Sequence, residues 1–212
     1  LATLGGADDI RLQTLTLEPD APATILYTSG TTGRQKGATL SHGNVVANVT
    51  QTLHCLRTTP QDRLLLFLPL FHCFGQNFIL NTGLAAGATL VLHRRFELDA
   101  VLDSIERDHV TMLIAVPTVF ITLLNANVPR RRLASVRYCF SAAAPLPVEV
   151  SEKWKAVYGH AIHEGYGLTE SSPFASYNHT WNLRPGSVGT PLPMVDVRIV
   201  AVDDEQDRSV LP

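Results

Sequence analysis

Thr28-Ser29-Gly30-Thr31-Thr32-Gly33-Arg34-Gln35-Lys36-Gly37, directly behind the apolar Ile25-Leu26-Tyr27, is the stretch on which the reading of this chain turns. Its ten positions carry four hydroxyl side chains (Thr28, Ser29, Thr31, Thr32), three glycines (Gly30, Gly33, Gly37) and one lysine, Lys36. Glycine lets a backbone turn through φ > 0 and come close to a ligand. Hydroxyls and free N–H groups donate to phosphate oxygens, and Lys36 adds a mobile positive charge. With Ile25-Leu26-Tyr27 as a strand end, the whole reads as a phosphate-gripping loop that leaves a strand. It departs from the common P-loop, because Gln35 stands in the second glycine's place and Gly37 follows the lysine instead of a hydroxyl. A solvated Ser/Thr/Gly loop is the plain alternative.

Outward from this run, short apolar stretches alternate with helical patterns. Residues 1–22, with Gly5-Gly6, Pro19 and Pro22, read as a linker or truncated segment. Val45, Val46, Val49, Leu53 and Leu56 fall on one helical face. Strands are expected over 63–68, 88–92, 111–115, 136–140 and 161–166, and helices over 76–86 and 118–125. Leu98, Val101, Leu102 and Ile105 repeat at the spacing of an amphipathic helix. Another helix opens at Pro147 and closes at Gly159. This order predicts an α/β fold: a doubly wound, mostly parallel sheet flanked by helices, with ligands beyond the carboxyl ends of the strands. After Pro173 the pattern changes, and Val195 to Val202 reads as an isolated strand that starts a β-rich subdomain.

Lys plus Arg number 17 against 19 Asp plus Glu, a formal charge of −2. No basic excess points to nucleic acid or an anionic membrane. Arg130-Arg131-Arg132 reads as a solvated turn. Cys55, Cys73 and Cys139 are too few and too scattered for a disulfide framework or a metal site, which suggests a reduced, cytoplasmic setting. The longest apolar stretches, Leu64 to Phe71 and Met112 to Leu124, hold Pro69 and Pro117 and are too short for a transmembrane segment.

Glu164-Gly165-Tyr166-Gly167-Leu168-Thr169-Glu170 follows the strand expected at Ala161. Gly165 and Gly167 allow a tight turn, after which Thr169 and Glu170 can face the ligand of the first loop. A carboxylate beside phosphate calls for an intervening cation, and Mg²⁺ is usually held by one or two carboxylates plus phosphates. Ser141-Ala142-Ala143-Ala144-Pro145 leaves room for a flat ring, or for close packing of strand on helix. In Pro69-Leu70-Phe71-His72-Cys73-Phe74-Gly75 a histidine sits in an aromatic-rich turn, where a packed core residue is one reading. His72 and Cys73 lack the company of further metal ligands. Arg184-Pro185-Gly186-Ser187-Val188-Gly189 reads as a connector loop.

Together, the hydroxyl-rich loop and the Tyr-Gly-Leu-Thr-Glu turn resemble the two core signatures of the AMP-forming, acyl-adenylating ligases: acyl-CoA synthetases, peptide-synthetase adenylation domains and luciferases. The resemblance covers about residues 22–202, the middle of the family's large N-terminal domain. It implies a nucleotide-binding α/β subdomain over 23–175 and a connector with the start of a β-rich subdomain over 176–212. ATP would be bound by Thr28, Ser29, Gly30, Thr31, Thr32, Gly33, Lys36, Ala143, Ala144, Glu164, Gly165, Tyr166, Gly167 and Thr169. In this set Tyr166 stacks on adenine and Thr169 contacts the α-phosphate. Glu170 would ligate Mg²⁺, and His72 would gate the acyl pocket.

The implied activity is that of an acid–thiol ligase. A carboxylic acid, fatty or otherwise apolar, is activated with ATP as an acyl-adenylate and passed to coenzyme A or to the phosphopantetheine arm of an acyl-carrier protein. Phe71, Phe74 and Phe78 suit an apolar acyl group and equally a packed core, and Asn178-His179 resembles a segment of bacterial fatty-acyl ligases. The family's ribose-binding aspartate and its C-terminal-domain lysine fall outside this chain, which is expected to be inactive by itself. An amino-acid-activating adenylation domain and a non-catalytic nucleotide-binding fragment are the alternatives.

Overall fold

The computed structural model describes residues 15–28 and 35–200. Five expected phosphate-loop residues, Ser29, Gly30, Thr31, Thr32 and Gly33, lie outside the described residues. β1 (Pro22–Thr28) pairs antiparallel with β2 (Lys36–Ser41), with Thr28 opposite Lys36. The described ends of the hydroxyl-rich run, Thr28 and Lys36, therefore face each other across a two-stranded pairing, and Lys36 begins a strand that the alternating pattern does not mark. In β2 only Leu40 is buried, which leaves little apolar periodicity to read.

α1 (His42–Leu56) starts at a capping box: the Asn44 N–H donates to Ser41 Oγ, and the Ser41 N–H donates back to Asn44 Oδ1. Its buried residues are Asn48, Val49, Thr52 and Leu56, whereas Val46 is exposed. The apolar face expected there is displaced toward two polar residues, for a reason that emerges at the site.

The main sheet contains β3 (Arg63–Leu66), β4 (Thr89–Leu92), β5 (Met112–Ala115), β6 (Tyr138–Ser141), β7 (Ile162–Gly167), β8 (Phe174–Tyr177) and β9 (Thr190–Pro191). Its order is β4-β3-β5-β6-β7-β8-β9. The pairs from β4 to β7 are parallel, as expected of a doubly wound sheet, and β8 and β9 are added antiparallel. α2 (Thr82–Ala85), α3 (Leu98–Arg107), α4 (Pro117–Asn125) and α5 (Val148–Tyr158) make the crossovers. Gly159 ends α5 at φ 85°, a left-handed cap.

Successive strand side chains face opposite ways, so each parallel strand feeds two cores. Leu65, Leu113, Ala115 and Cys139 pack on one side with α3, α4 and Trp154 of α5. Leu64, Leu66, Met112, Ile114, Tyr138 and Phe140 pack on the other with Phe74, Phe78 and Leu56. The helix expected over 76–86 is π-helical from Phe74 to Asn81 and runs directly into α2. In the basic cluster, Arg132 pairs with Asp103 at 2.6 Å and with Glu106 at 2.7 Å. Where a strand was expected over Val195 to Val202, residues 195–199 carry none and Val200 makes an isolated bridge. The antiparallel continuation arises earlier, at β8.

Candidate functional site

The site lies at the carboxyl ends of β6 and β7. Two adjoining cavities open there, of 230 and 340 Å³, and both are lined by Ala143, Gly165, Tyr166 and Gly167. Sheet closure dictates the glycines. A Cβ on Gly165 would stand 2.5 Å from Phe140 Cζ, and one on Gly167 would collide with the Pro173 carbonyl. Beyond Gly167 a single 3-10 turn, Thr169–Ser171, carries the acidic motif. The Leu168 N–H donates to Ser171 Oγ at 2.9 Å, within reach of the Pro173 carbonyl at 3.0 Å.

Two buried amides fix this turn to the helices beneath it. Asn48 Nδ2 donates to the Phe174 carbonyl at 2.8 Å and to the Ser171 carbonyl at 3.2 Å, and Asn48 Oδ1 accepts from the Phe174 N–H at 3.2 Å. Asn77, on the π-helix, donates to the Ser172 carbonyl at 3.3 Å. Neither residue is singled out by the motifs. Their signal in sequence is only a polar residue on a helix's apolar side, and their partners are 95 to 126 residues away.

The hairpin reaches the same turn from the other side. β2 packs against Thr169–Ser171, and Leu26 and Leu40 cluster with Cys73. Cys73 Sγ lies 3.8 Å from Thr169 Oγ1; burial pushes its thiol up. His72 is exposed at the rim, and its Nδ1 accepts the Phe74 N–H at 3.1 Å. That bond requires the lone pair on Nδ1, so the neutral ring carries its proton on Nε2. Ala143 takes φ 71°, the left-handed conformation that favours glycine. Glu164 is buried, which pushes its carboxyl up against the opposing effect of the Leu146 and Gly186 backbone N–H donors. Asn178 closes the connector loop, with Nδ2 on the Arg184 and Ser187 carbonyls at 2.7 and 2.9 Å.

Of the expected site residues, His72, Ala143, Gly165, Tyr166, Gly167 and Thr169 line the smaller cavity, and Ala144 and Glu164 line the larger. Lys36, Thr28 and Glu170 line neither, although Lys36 and Glu170 belong to elements that pack together. Phe71 points to solvent, whereas Phe74 and Phe78 line the smaller cavity. Glu170 is exposed and pairs with no cation in the ion pairs found among the described residues. Those residues form no cluster of three or more metal ligands. A lone accessible carboxylate suits Mg²⁺ carried in on phosphates, not a protein-built cage.

Residues 4–212 match the family described as AMP-binding enzyme. The chain belongs to that family. It is 34% identical over 188 residues to a long-chain-fatty-acid–CoA ligase of Bacillus subtilis, covering 86% of this chain and 34% of the relative. To the mitochondrial malonate–CoA ligase of Bos taurus it is 38% identical over 205 residues, covering 90% of this chain and 35% of that one. Apo MatB from Rhodopseudomonas palustris superposes with a TM-score of 0.86 at 35% identity, over 94% of this chain and 39% of that structure. O-succinylbenzoate coenzyme A synthetase of Bacillus subtilis, solved with ATP and magnesium, gives a TM-score of 0.79 at 35% identity, over 92% of this chain and 40% of that one. The chain spans about a third of the length of the curated relatives it matches.

Proposed function

We propose that the protein carrying this chain activates an apolar carboxylic acid with ATP and passes the acyl group to a thiol. The observation that carries this reading is the packing of the Lys36 strand against the Thr169–Ser171 turn, at the mouth of an apolar cavity. A substrate carboxylate oxygen attacks the α-phosphorus, the bond to the bridging oxygen breaks, and pyrophosphate leaves. The sulfur of coenzyme A, or of a carrier protein's phosphopantetheine arm, then attacks the acyl carbonyl and AMP departs. Both steps depend on positioning and on stabilising charge that develops on phosphate and carbonyl oxygens.

Within this scheme Lys36 and the hydroxyl-rich loop restrain the pyrophosphate, and Thr169 donates to the α-phosphate. Tyr166, half exposed between the two cavities, offers its ring to adenine beside Ala143 and Ala144. His72 guards the acyl entrance. Glu170 would hold Mg²⁺, which when bound neutralises phosphate charge. Residues 23–175 serve as the nucleotide-binding subdomain and 176–212 as a connector, and the scattered free cysteines favour a cytoplasmic setting. No helix among the described residues is long and apolar enough to cross a membrane. An amino-acid substrate fits less well, because among the described residues that line the smaller cavity none is Asp or Glu to pair with its ammonium.

Pyrophosphate exchange by the full-length protein with a panel of carboxylic acids tests the proposal. Acid-dependent exchange is the expected result, and none with any acid removes the reading.

A further inference from the structure

The smaller cavity has the shape of its guest written in four phenyl rings. Phe78 lies 5.2 Å from Phe74, 4.7 Å from Phe140 and 4.9 Å from Phe174, centroid to centroid, and all four rings are buried. They close the inner end, and Gly165 seals the gap between Phe140 and Phe174 so tightly that not even a methyl fits. The exposed residues His72, Tyr166 and Leu168 mark the mouth. Among the described residues, no Lys, Arg, Asp or Glu lines this cavity.

From this geometry we infer that the site accepts a compact, uncharged acyl group, an aromatic ring on a short linker, and discriminates against dicarboxylates and long alkyl chains. The inference rests on the adenylation reading above and adds the substrate class. Size argues first. An apolar cavity of about 150 Å³ suffices for benzene, so the 230 Å³ here holds one ring and a few further atoms. A chain of a dozen or more carbons, at least twice benzene's count, needs about 300 Å³ on the same scale and would have to run into the adjoining cavity beside Ala144, where the adenylation reading places adenine.

Charge argues second. A second carboxylate would be buried among phenyl rings with no counter-charge, and an unpaired buried charge is strongly disfavoured. Ring chemistry argues third, because phenyl faces and edges favour another ring in offset or edge-to-face contact. The rings also pack on one another and on the sheet, so the cavity cannot lengthen without disturbing the core.

Pyrophosphate exchange by the full-length protein with benzoate, trans-cinnamate, malonate and palmitate is the test. Benzoate or cinnamate should exceed malonate and palmitate in kcat/KM by at least ~10-fold, the scale on which apolar pockets discriminate size. A preference for palmitate or malonate overturns the inference while leaving the adenylation reading intact. Exchange with no acid removes that reading and the inference with it. Phe78→Ala should shift the preference toward longer acids, and Phe74→Leu serves the same purpose if the first variant does not fold. An unchanged preference in a folded variant also overturns the inference.

Discussion

The two ends of one parallel sheet differ in how their polar groups are used. At the amino ends of β3, β5 and β6, Asp62, Thr111 and Arg137 form a closed clasp. Arg137 Nε and Nη2 donate to the two carboxylate oxygens of Asp62 at 2.8 and 2.7 Å, and the Thr111 hydroxyl adds a bond of 2.7 Å. At the carboxyl ends of β6 and β7 stand glycine, alanine, two cavities and a solvent-facing Glu170. One end spends its charged groups on each other, whereas the other leaves them available to a ligand. A sheet divided in this way can tune its chemistry without loosening its framework.

Asn48 is where that division is most open to attack, because it stabilises from the working end. Asn48→Ala leaves the Phe174 N–H and two carbonyls without partners, and should cost about 3 kcal/mol at ~1 kcal/mol per lost bond. Urea denaturation measures the loss, and adenylation should fall with it, because the turn bearing Thr169 and Glu170 is released. A variant of wild-type stability would show that the clamp is idle.

Arg137→Met probes the opposite end. It strands a buried carboxylate, but the arginine is partly exposed, so about 2 kcal/mol is expected, below the range for fully buried pairs. The KM for ATP should not move. Burial alone would raise the Asp62 carboxyl, but hydrogen bonds from Arg137, Thr111 and the Thr59 N–H, with the guanidinium charge, hold it at about 2. A depressed carboxyl stabilises the fold above its unfolded value near 3.8, and that contribution fades as pH falls toward 2. An acid titration of Arg137→Met should therefore show a weaker loss over that window than the unaltered protein shows.

Lys36→Ala should change stability by less than about 0.5 kcal/mol, as an exposed side chain permits. Exchange activity should nevertheless drop at least ~10-fold, the signature of a lost charge contact to phosphate. Equal activity would remove Lys36 from the site. The smallest effect is expected at Ala143→Gly. Relief of the left-handed alanine should outweigh the added freedom of the unfolded chain, a gain of about 0.5 kcal/mol visible as a higher Tm.

Local patterns made the parallel framework legible. Leu65, Leu113 and Cys139 alternate with Leu64, Met112 and Tyr138 because each strand feeds both cores, and Pro147 and Gly159 mark the ends of α5 as sequence suggests. The second motif could be read because its residues are contiguous. What escaped was set by distant partners. β2 and β8 pair antiparallel with little apolar periodicity of their own, and Asn48 has meaning only beside residues 123 and 126 positions away. Val46, one of the residues on the apolar helical face, is exposed for the same reason, since the buried face of α1 is chosen by an amide's need for carbonyls. The first loop's sequence is the most distinctive in the chain, yet six of its residues, 29–34, lie outside the described structure.

The loop from Gly167 to Pro173 is a short span pinned at both feet. Leu168 is tied to Ser171 and Pro173, the Gly167 Cα lies against the Pro173 carbonyl, and amides from two helices grip the far side. In the proposed adenylation this backbone would have no slack with which to follow the change from triphosphate to adenylate. Accommodation at this wall must come from rotation of the Thr169 and Glu170 side chains alone, with the larger adjustments falling to whatever faces it across the cleft.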